Sequence, residues 1–552
     1  MTNPLEPSQQ ATVTVTNPVL RGFHPDPSIL RVGGDYYLAT STFQWYPGVA
    51  IYHSRDLVNW RPAAQPLDRQ TLLDMRGNAD SGGVWAPALS HDGQRFHLIY
   101  TDVKSWGSSE VFKDSHNYLT TAEQIEGPWS QPIYMNSSGF DPSLFHDTAG
   151  STGVDVGGDG RKWFVNMRWD HRAGRNSFSG IVLQEYSPVE RRLVGPREVI
   201  FRGTELGVTE APHLYRRGGW YYLLTAEGGT SWEHAVTVAR SRNLHGPYEV
   251  HPDNPILTAV DAPGLPIQKS GHSSFTNTPD GEWVIAYLCG RPVSEQGQTE
   301  LKQCPLGRET ALQSLVWGED GWPRLASVGH HPLLHAKVPA SPPHPWPQAS
   351  ARDDFDGSEL RSEWMTLRAP AELMGVELTG DTLKLTGHES LNSKHQLSLV
   401  GRRLQSLDAR FRTAVSFDPE DFQQMAGVCA YYDSRNWVYL RLSRDEQQGR
   451  TLAILHSENG DYRELLADEV AVGDANPVHL GIVYGGGQFW FEYSLDGDNW
   501  QQIGDKLSAG LLSDEHCGGL SFTGTFLALT CQDLSGRKLA AQFHWAEYVE
   551  TP

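Results

Sequence analysis

The sequence predicts an all-β protein, a five-bladed β-propeller followed by a β-sandwich of lectin-like character. Three observations lead there. A short phrase, an apolar strand followed by a glycine turn and a strand rich in aromatic and β-branched residues, recurs five times at intervals of about sixty residues. Helical periodicity is scarce along the chain. A proline-rich stretch then separates the repeats from a region where apolar and polar residues alternate over short runs.

The five phrases are DPSIL (26–30) before GGDYYLATSTF, WAPAL (85–89) before DGQRFHLIYTD, DPSLF (141–145) before GRKWFVNMRW, EAPHL (210–214) before GGWYYLLTAE, and HSSFT (272–276) before DGEWVIAYL. Each reads as a β-hairpin. Further strand-like runs, such as VAIYHSRDLVNW and AVTVARSRNLHGPY, complete units of about four strands. One four-stranded sheet cannot bury both faces alone, whereas blades set radially bury them against each other. The expected division is an N-terminal tail at 1–16, a propeller at 17–335, a linker at 336–351 and a sandwich at 352–552. Pro339, Pro342, Pro343, Pro345 and Pro347 stiffen the linker, and runs such as KHQLSLVGRRL, WVYLRLSR and HLGIVYGGGQFWFEYSLDGDNW mark the sandwich.

The first position of the five phrases holds Asp26, Trp85, Asp141, Glu210 and His272. Equivalent positions on sister inner strands surround one axis, so these side chains are expected to converge there. Asp26 stands between Pro25 and Pro27, and the following proline predicts an extended backbone for it. Gathering three carboxylates in one partly dry funnel costs free energy that structure alone gives no reason to incur. Nothing resembles the closely spaced DxDxDG loop of a calcium site. The pattern suits acid–base chemistry on a neutral substrate, where one carboxyl donates a proton, a second activates water, and a third tunes the donor.

Composition agrees. The chain has 552 residues and a formal charge of −21, which argues against nucleic acid or an anionic membrane as partner. The first eighteen residues lack the basic start and apolar core of a secretion signal, and no apolar run approaches a membrane span. Five cysteines without CxxC spacing read as reduced thiols, which points to the cytoplasm. Phe43, Trp45, Trp85, Phe140 and Trp169 offer flat apolar faces for sugar rings near the acids.

The motifs NPVLRGFHPDPSIL, GVWAPAL, GFDPSLFHD, VTEAPHLY and CPLGRETA resemble glycoside hydrolase family 43, in its β-xylosidase branch, from about Asn17 to the C-terminus. The resemblance implies a five-bladed propeller that hydrolyses with inversion, with Asp26 as general base, Glu210 as general acid and Asp141 as the carboxylate that tunes the acid. It implies that Arg308 holds the non-reducing-end sugar and that Phe43, Trp85, Phe140, Trp169 and Thr230 line its pocket. His272 corresponds to a histidine near the propeller axis that in some relatives orders the site or contacts a divalent ion such as calcium; no cofactor is otherwise required. The sandwich is expected to close the pocket with an aromatic residue, Phe526 first and Phe522 second. The implied activity is exo-acting removal of xylose from β-1,4-xylo-oligosaccharides. The alternatives are an α-L-arabinofuranosidase, alone or as a second activity, a retaining fructan-processing propeller, and a non-catalytic carbohydrate-binding protein. A homo-oligomer is compatible with the sequence.

Overall fold

The structure, a computed structural model, describes residues 11–107, 110–147, 159–294, 302–518 and 521–551. Five antiparallel sheets, each from one contiguous piece of chain, follow one another as blades. Their innermost strands are Ser28–Val32, Gly83–His91, Ser143–His146, Glu210–Arg217 and Gln268–Asn277. Serines in and beside the recurring phrases, together with the Tyr215 hydroxyl that accepts from Phe275 N at 2.7 Å, tie these strands into a ring. Ser274 Oγ donates to Pro27 O at 2.8 Å and accepts from Ile29 N at 2.8 Å, Leu89 N donates to Ser28 Oγ at 3.0 Å, and Ser143 Oγ donates to Pro212 O at 2.6 Å. The link between the second and third blades is made by His146 Nε2 and Ser90 Oγ, 2.9 Å apart. Each bond satisfies a buried polar group and fixes one blade against the next.

The ends of the propeller differ from the expected tail and linker. Thr12–Thr16 pairs antiparallel with His335–Pro339, Thr12 opposite Pro339 and Thr16 opposite His335. Val15, Ala336 and Val338 point inward and are buried. The alternating TVTVT run, with its β-branched residues, makes the strand, so residues assigned to the tail and to the linker instead clasp the two ends of the repeat. The remaining linker is strapped along the first blade: His344 N donates to Asp56 Oδ2 at 2.7 Å, and Arg61 lies over the Trp346 ring at 4.0 Å.

The C-terminal domain stacks an eight-stranded sheet on a seven-stranded one. In the strand Phe526–Asp533, Leu527 and Leu529 face the sandwich core with Val428 and Leu440, while Phe526 and Ala528 face the propeller with Cys429 and Tyr431. The seven-stranded sheet is therefore buried on both sides. That explains why this strand reads FLALTCQD, with every residue buried, where a half-exposed strand would alternate.

Candidate active site

Prolines show the true register of the inner strands. Pro27, Pro87, Pro142 and Pro212 each follow a residue with positive φ: Asp26 (57°), Ala86 (41°), Asp141 (53°) and Ala211 (52°); in the fifth blade His272 (33°) takes this place before Ser273. The equivalent column is Asp26, Ala86, Asp141, Ala211 and His272. Trp85 and Glu210 stand one residue earlier, level with Phe140, which corrects the column read from the phrases. The backbone at Asp26 is left-handed and not extended as expected. Proline at the next position disfavours the right-handed helical region, and the chain must curl at the axis instead; the left-handed form costs roughly 1–2 kcal/mol for a non-glycine residue. Such strain repeated around the ring marks a site where side-chain direction matters more than local stability.

Both columns open on one cavity of about 600 Å³, lined by Asp26, Asp141 and Glu210 together with Phe43, Trp85, Phe140, Trp169, Thr230, His272 and Arg308. All three acids are at least nine-tenths buried. Donors and cations gather on Asp26: Ser41 Oγ donates to Oδ2 at 2.6 Å, while Arg308 Nη1 and His272 Nδ1 lie 3.5 and 3.6 Å from Oδ1. Burial, reinforced by the negative charge of Asp26, pushes the Asp141 carboxyl up to about 8. Burial, then Asp141, then Asp26 push Glu210 well above the usual carboxylate range. Burial also lowers His272, against the pull of Asp26. The acids thus divide by environment into one that attracts donors and a buried pair that retains protons.

Arg308 is placed by a close approach of the two domains. Gly307, at φ +73°, brings its backbone so near the sandwich segment that a Cβ would lie 2.1 Å from Thr523 O, and no side chain fits there. The guanidinium then spans the pocket end, donating from Nη1 to Thr230 Oγ1 at 2.8 Å and from Nη2 to Phe522 O at 3.2 Å. Its Nε is buried without a partner among the described residues.

The sandwich reaches the pocket through Phe522, not Phe526. Phe522 lines the cavity and stacks on Trp106 at 4.7 Å between ring centroids; its N–H donates to Ser81 Oγ at 3.1 Å. Phe526 is fully buried and stacks on Trp45 at 3.6 Å and 13°. Neither residue of that stack lines the cavity. The parity of the strand turns Phe526 toward the propeller flank, where burial of such a ring contributes about 1.5–3 kcal/mol to the interface. Trp45, expected among the sugar-facing aromatics, is an interface residue. Replacing Phe522 by alanine is expected to raise KM for short substrates about tenfold while leaving Tm within about 2 °C, measured by initial rates and thermal unfolding.

With this geometry established, comparison with known proteins gives a consistent result. Residues 15–323 match the profile of glycosyl hydrolases family 43, and residues 352–549 that of the beta xylosidase C-terminal Concanavalin A-like domain. The chain belongs to glycoside hydrolase family 43. Two curated members similar to it are a "Beta-xylosidase" of Bacillus subtilis (strain 168), 47% identical over 97% of this chain and 99% of that protein, and a "Xylosidase/arabinosidase 43B" of Humicola insolens, 49% identical over 97% of each. Among solved structures, the xylan beta-1,4-xylosidase from Bacillus halodurans C-125 superposes with a TM-score of 0.93 at 48% identity, covering 97% of this chain and all of that one.

Several groups of this family 43 hydrolase were not read from its sequence. Ser41, at the end of the second strand of the first blade, holds Asp26. Trp106 and Lys113 wall the cavity beside Trp169, with Lys113 Nζ 4.6 Å from the Trp169 ring. The aromatic in VKSWG, just past a strand end, is a signal that could have pointed there. Glu227, wholly buried, accepts from Thr204 N at 3.0 Å and Thr209 Oγ1 at 3.2 Å, fastening the segment that leads into Glu210. Around His272 the protein offers one imidazole nitrogen and the Asp26 carboxylate already engaged by Ser41 and Arg308. Calcium takes six to eight oxygens, so these groups alone do not assemble a calcium set, and no step below depends on one. A second cavity of about 470 Å³ lies along the later parts of the same inner strands; its carboxylate Asp92 is paired with Lys162 at 2.9 Å. No helix among the described residues is long and apolar enough to cross a membrane.

Proposed function

We propose that this hydrolase is an exo-acting, inverting β-xylosidase that removes single xylose residues from the non-reducing ends of β-1,4-xylo-oligosaccharides. The observation that carries the reading is the division of the three buried acids. Glu210, held protonated by burial and by Asp141, donates its proton to the glycosidic oxygen as the bond to the anomeric carbon breaks. A water on the opposite face attacks that carbon and gives its proton to Asp26, whose carboxylate is stabilised by Ser41 and Arg308. Asp141 stays in place as the neighbour that keeps the acid charged with its proton. The β-linkage thereby yields the α-anomer of free xylose. Arg308 and Thr230 address the hydroxyls of the terminal sugar, and Phe522 against Trp106 excludes bulk water.

A second activity as an α-L-arabinofuranosidase is favoured by the doubly named Humicola insolens relative. Five buried, unpaired thiols support a reducing compartment and hence the cytoplasm. The test is product analysis on xylopentaose with the anomer followed by proton NMR. Xylose and xylotetraose as first products, with α-xylose preceding mutarotation, are expected. Internal cleavage products or initial β-xylose would overturn the assignment, and comparing nitrophenyl β-xyloside with nitrophenyl α-arabinofuranoside ranks the two activities.

A further inference from the structure

Away from the catalytic cavity, one group of side chains has the composition of a metal site. Among the described residues, Asp261, His330 and His331 form the one set of three metal-ligating side chains whose donor atoms all lie within 4.8 Å of one another. His330 Nε2 is 3.0 Å from Asp261 Oδ2 and His331 Nε2 is 2.9 Å from Asp261 Oδ1. None of the three lines the pocket that holds the acids.

The backbone presents these groups in advance. Asp261 lies in the turn between the fourth and fifth blades, where Gln268 Nε2 donates to both Ala262 O and Leu265 O at 3.0 Å. Thr258 N donates to His330 O at 2.9 Å, and Gln313 Nε2 donates to His331 O at 3.3 Å. Ligands from two separate segments are thus fixed at the backbone, so little ordering remains to be done on binding. The side chains are 36–53% exposed, which leaves an entry path and room for water at a remaining position.

We propose that Asp261, His330 and His331 bind a divalent transition-metal ion of zinc's class at the junction of the last two blades. Two imidazole nitrogens and one carboxylate oxygen suit zinc, nickel or copper over calcium or magnesium, which seek oxygen. Tetrahedral zinc holds its ligands about 2.0–2.2 Å away, so neighbouring donors stand about 3.3–3.5 Å apart. The two nitrogen–oxygen separations, 3.0 Å to Oδ2 and 2.9 Å to Oδ1, would open by a few tenths of an ångström, and one donor atom from each of the three residues already lies within 4.8 Å of the others. Each ring would bind through the Nε2 lone pair with its hydrogen on Nδ1, so neutral imidazoles release no proton. The ion would join the blade-four turn to the segment leading into the clasp strand His335–Pro339.

The experiment is calorimetric titration of the full chain with zinc chloride at pH 7.5, repeated at pH 5.5 and with Asp261→Asn and His331→Ala. Cobalt absorption in the visible range serves as a second readout of coordination. The wild type is expected to bind one zinc that each variant binds at least about tenfold more weakly, with affinity falling at pH 5.5 because metal binding requires deprotonated ligands. Metal-free hydrolysis of nitrophenyl β-xyloside should be the same in all three proteins, since none of the substituted residues meets the catalytic cavity; a variant with altered basal rate is replaced by His330→Gln. Equal zinc stoichiometry and affinity in wild type and variants, or no binding at all, would reduce the group to an ion pair and overturn the proposal.

Discussion

Replacing Asp26 by alanine should lower kcat/KM by about 10⁴-fold on every substrate, whatever its leaving group, because the attacking water then has no base. Ser41, Arg308 and His272 all address this carboxylate. Glu210→Ala should behave differently. A xylobiose leaving group needs a proton and should suffer a loss of about 10³-fold or more, whereas a dinitrophenolate departs unaided and should lose less than about tenfold in kcat. The contrast between the two leaving groups separates an acid from a residue that merely supports the pocket, since a collapsed pocket would slow both alike. Equal losses on the two substrates in the Glu210 variant would rule out its role as proton donor. KM for nitrophenyl β-xyloside should stay within about threefold in both variants, because Arg308, Thr230 and the aromatic walls, to which the proposed function assigns sugar recognition, are unchanged.

How much of this was readable in advance follows from which interactions are local. The five hairpins are set by short-range alternation and glycine turns, and all five sheets appear where the phrases place them. Register was a finer matter. Aligning the prolines of WAPAL and EAPHL with those of DPSIL moves Trp85 and Glu210 back by one residue, and the positive φ values at Ala86 and Ala211 follow that alignment. Choosing the aromatic wall needed information the strand does not contain. Phe526 begins a strand buried on both faces, so no polar side betrays its direction, and Phe522 is held by Ser81 and Arg308, residues 441 and 214 positions away. The TVTVT clasp, by contrast, carries its alternation openly, but its partner His335–Pro339 lies at the far end of the repeat.

Asp141→Asn should change two pH profiles in opposite senses. Asp141 and Asp26 both push Glu210 upward, after burial itself. Once Asp141 ionises, above about pH 8, its charge holds the proton on Glu210; without it Glu210 releases that proton more easily, so the alkaline limb of kcat/KM should move down by about one pH unit. Activity near pH 6 should fall about 10²-fold as the acid loses its neighbour's positioning. Stability should rise at the same time. The Asp141 carboxyl sits at about 8 when folded, against a value near 4 in an unfolded chain, so its protonated form favours the folded state below pH ~4. Through the window from about 4 to about 8 that contribution is lost, because the unfolded chain ionises freely while the buried group resists. Asparagine has no such titration. The Tm of the variant should therefore exceed that of the wild type by an amount that grows from pH 4 and levels off beyond pH 8, reaching roughly 2–5 °C. A Tm difference independent of pH would mean that Asp141 is not held protonated by its burial, and the acid pair would lose its physical basis.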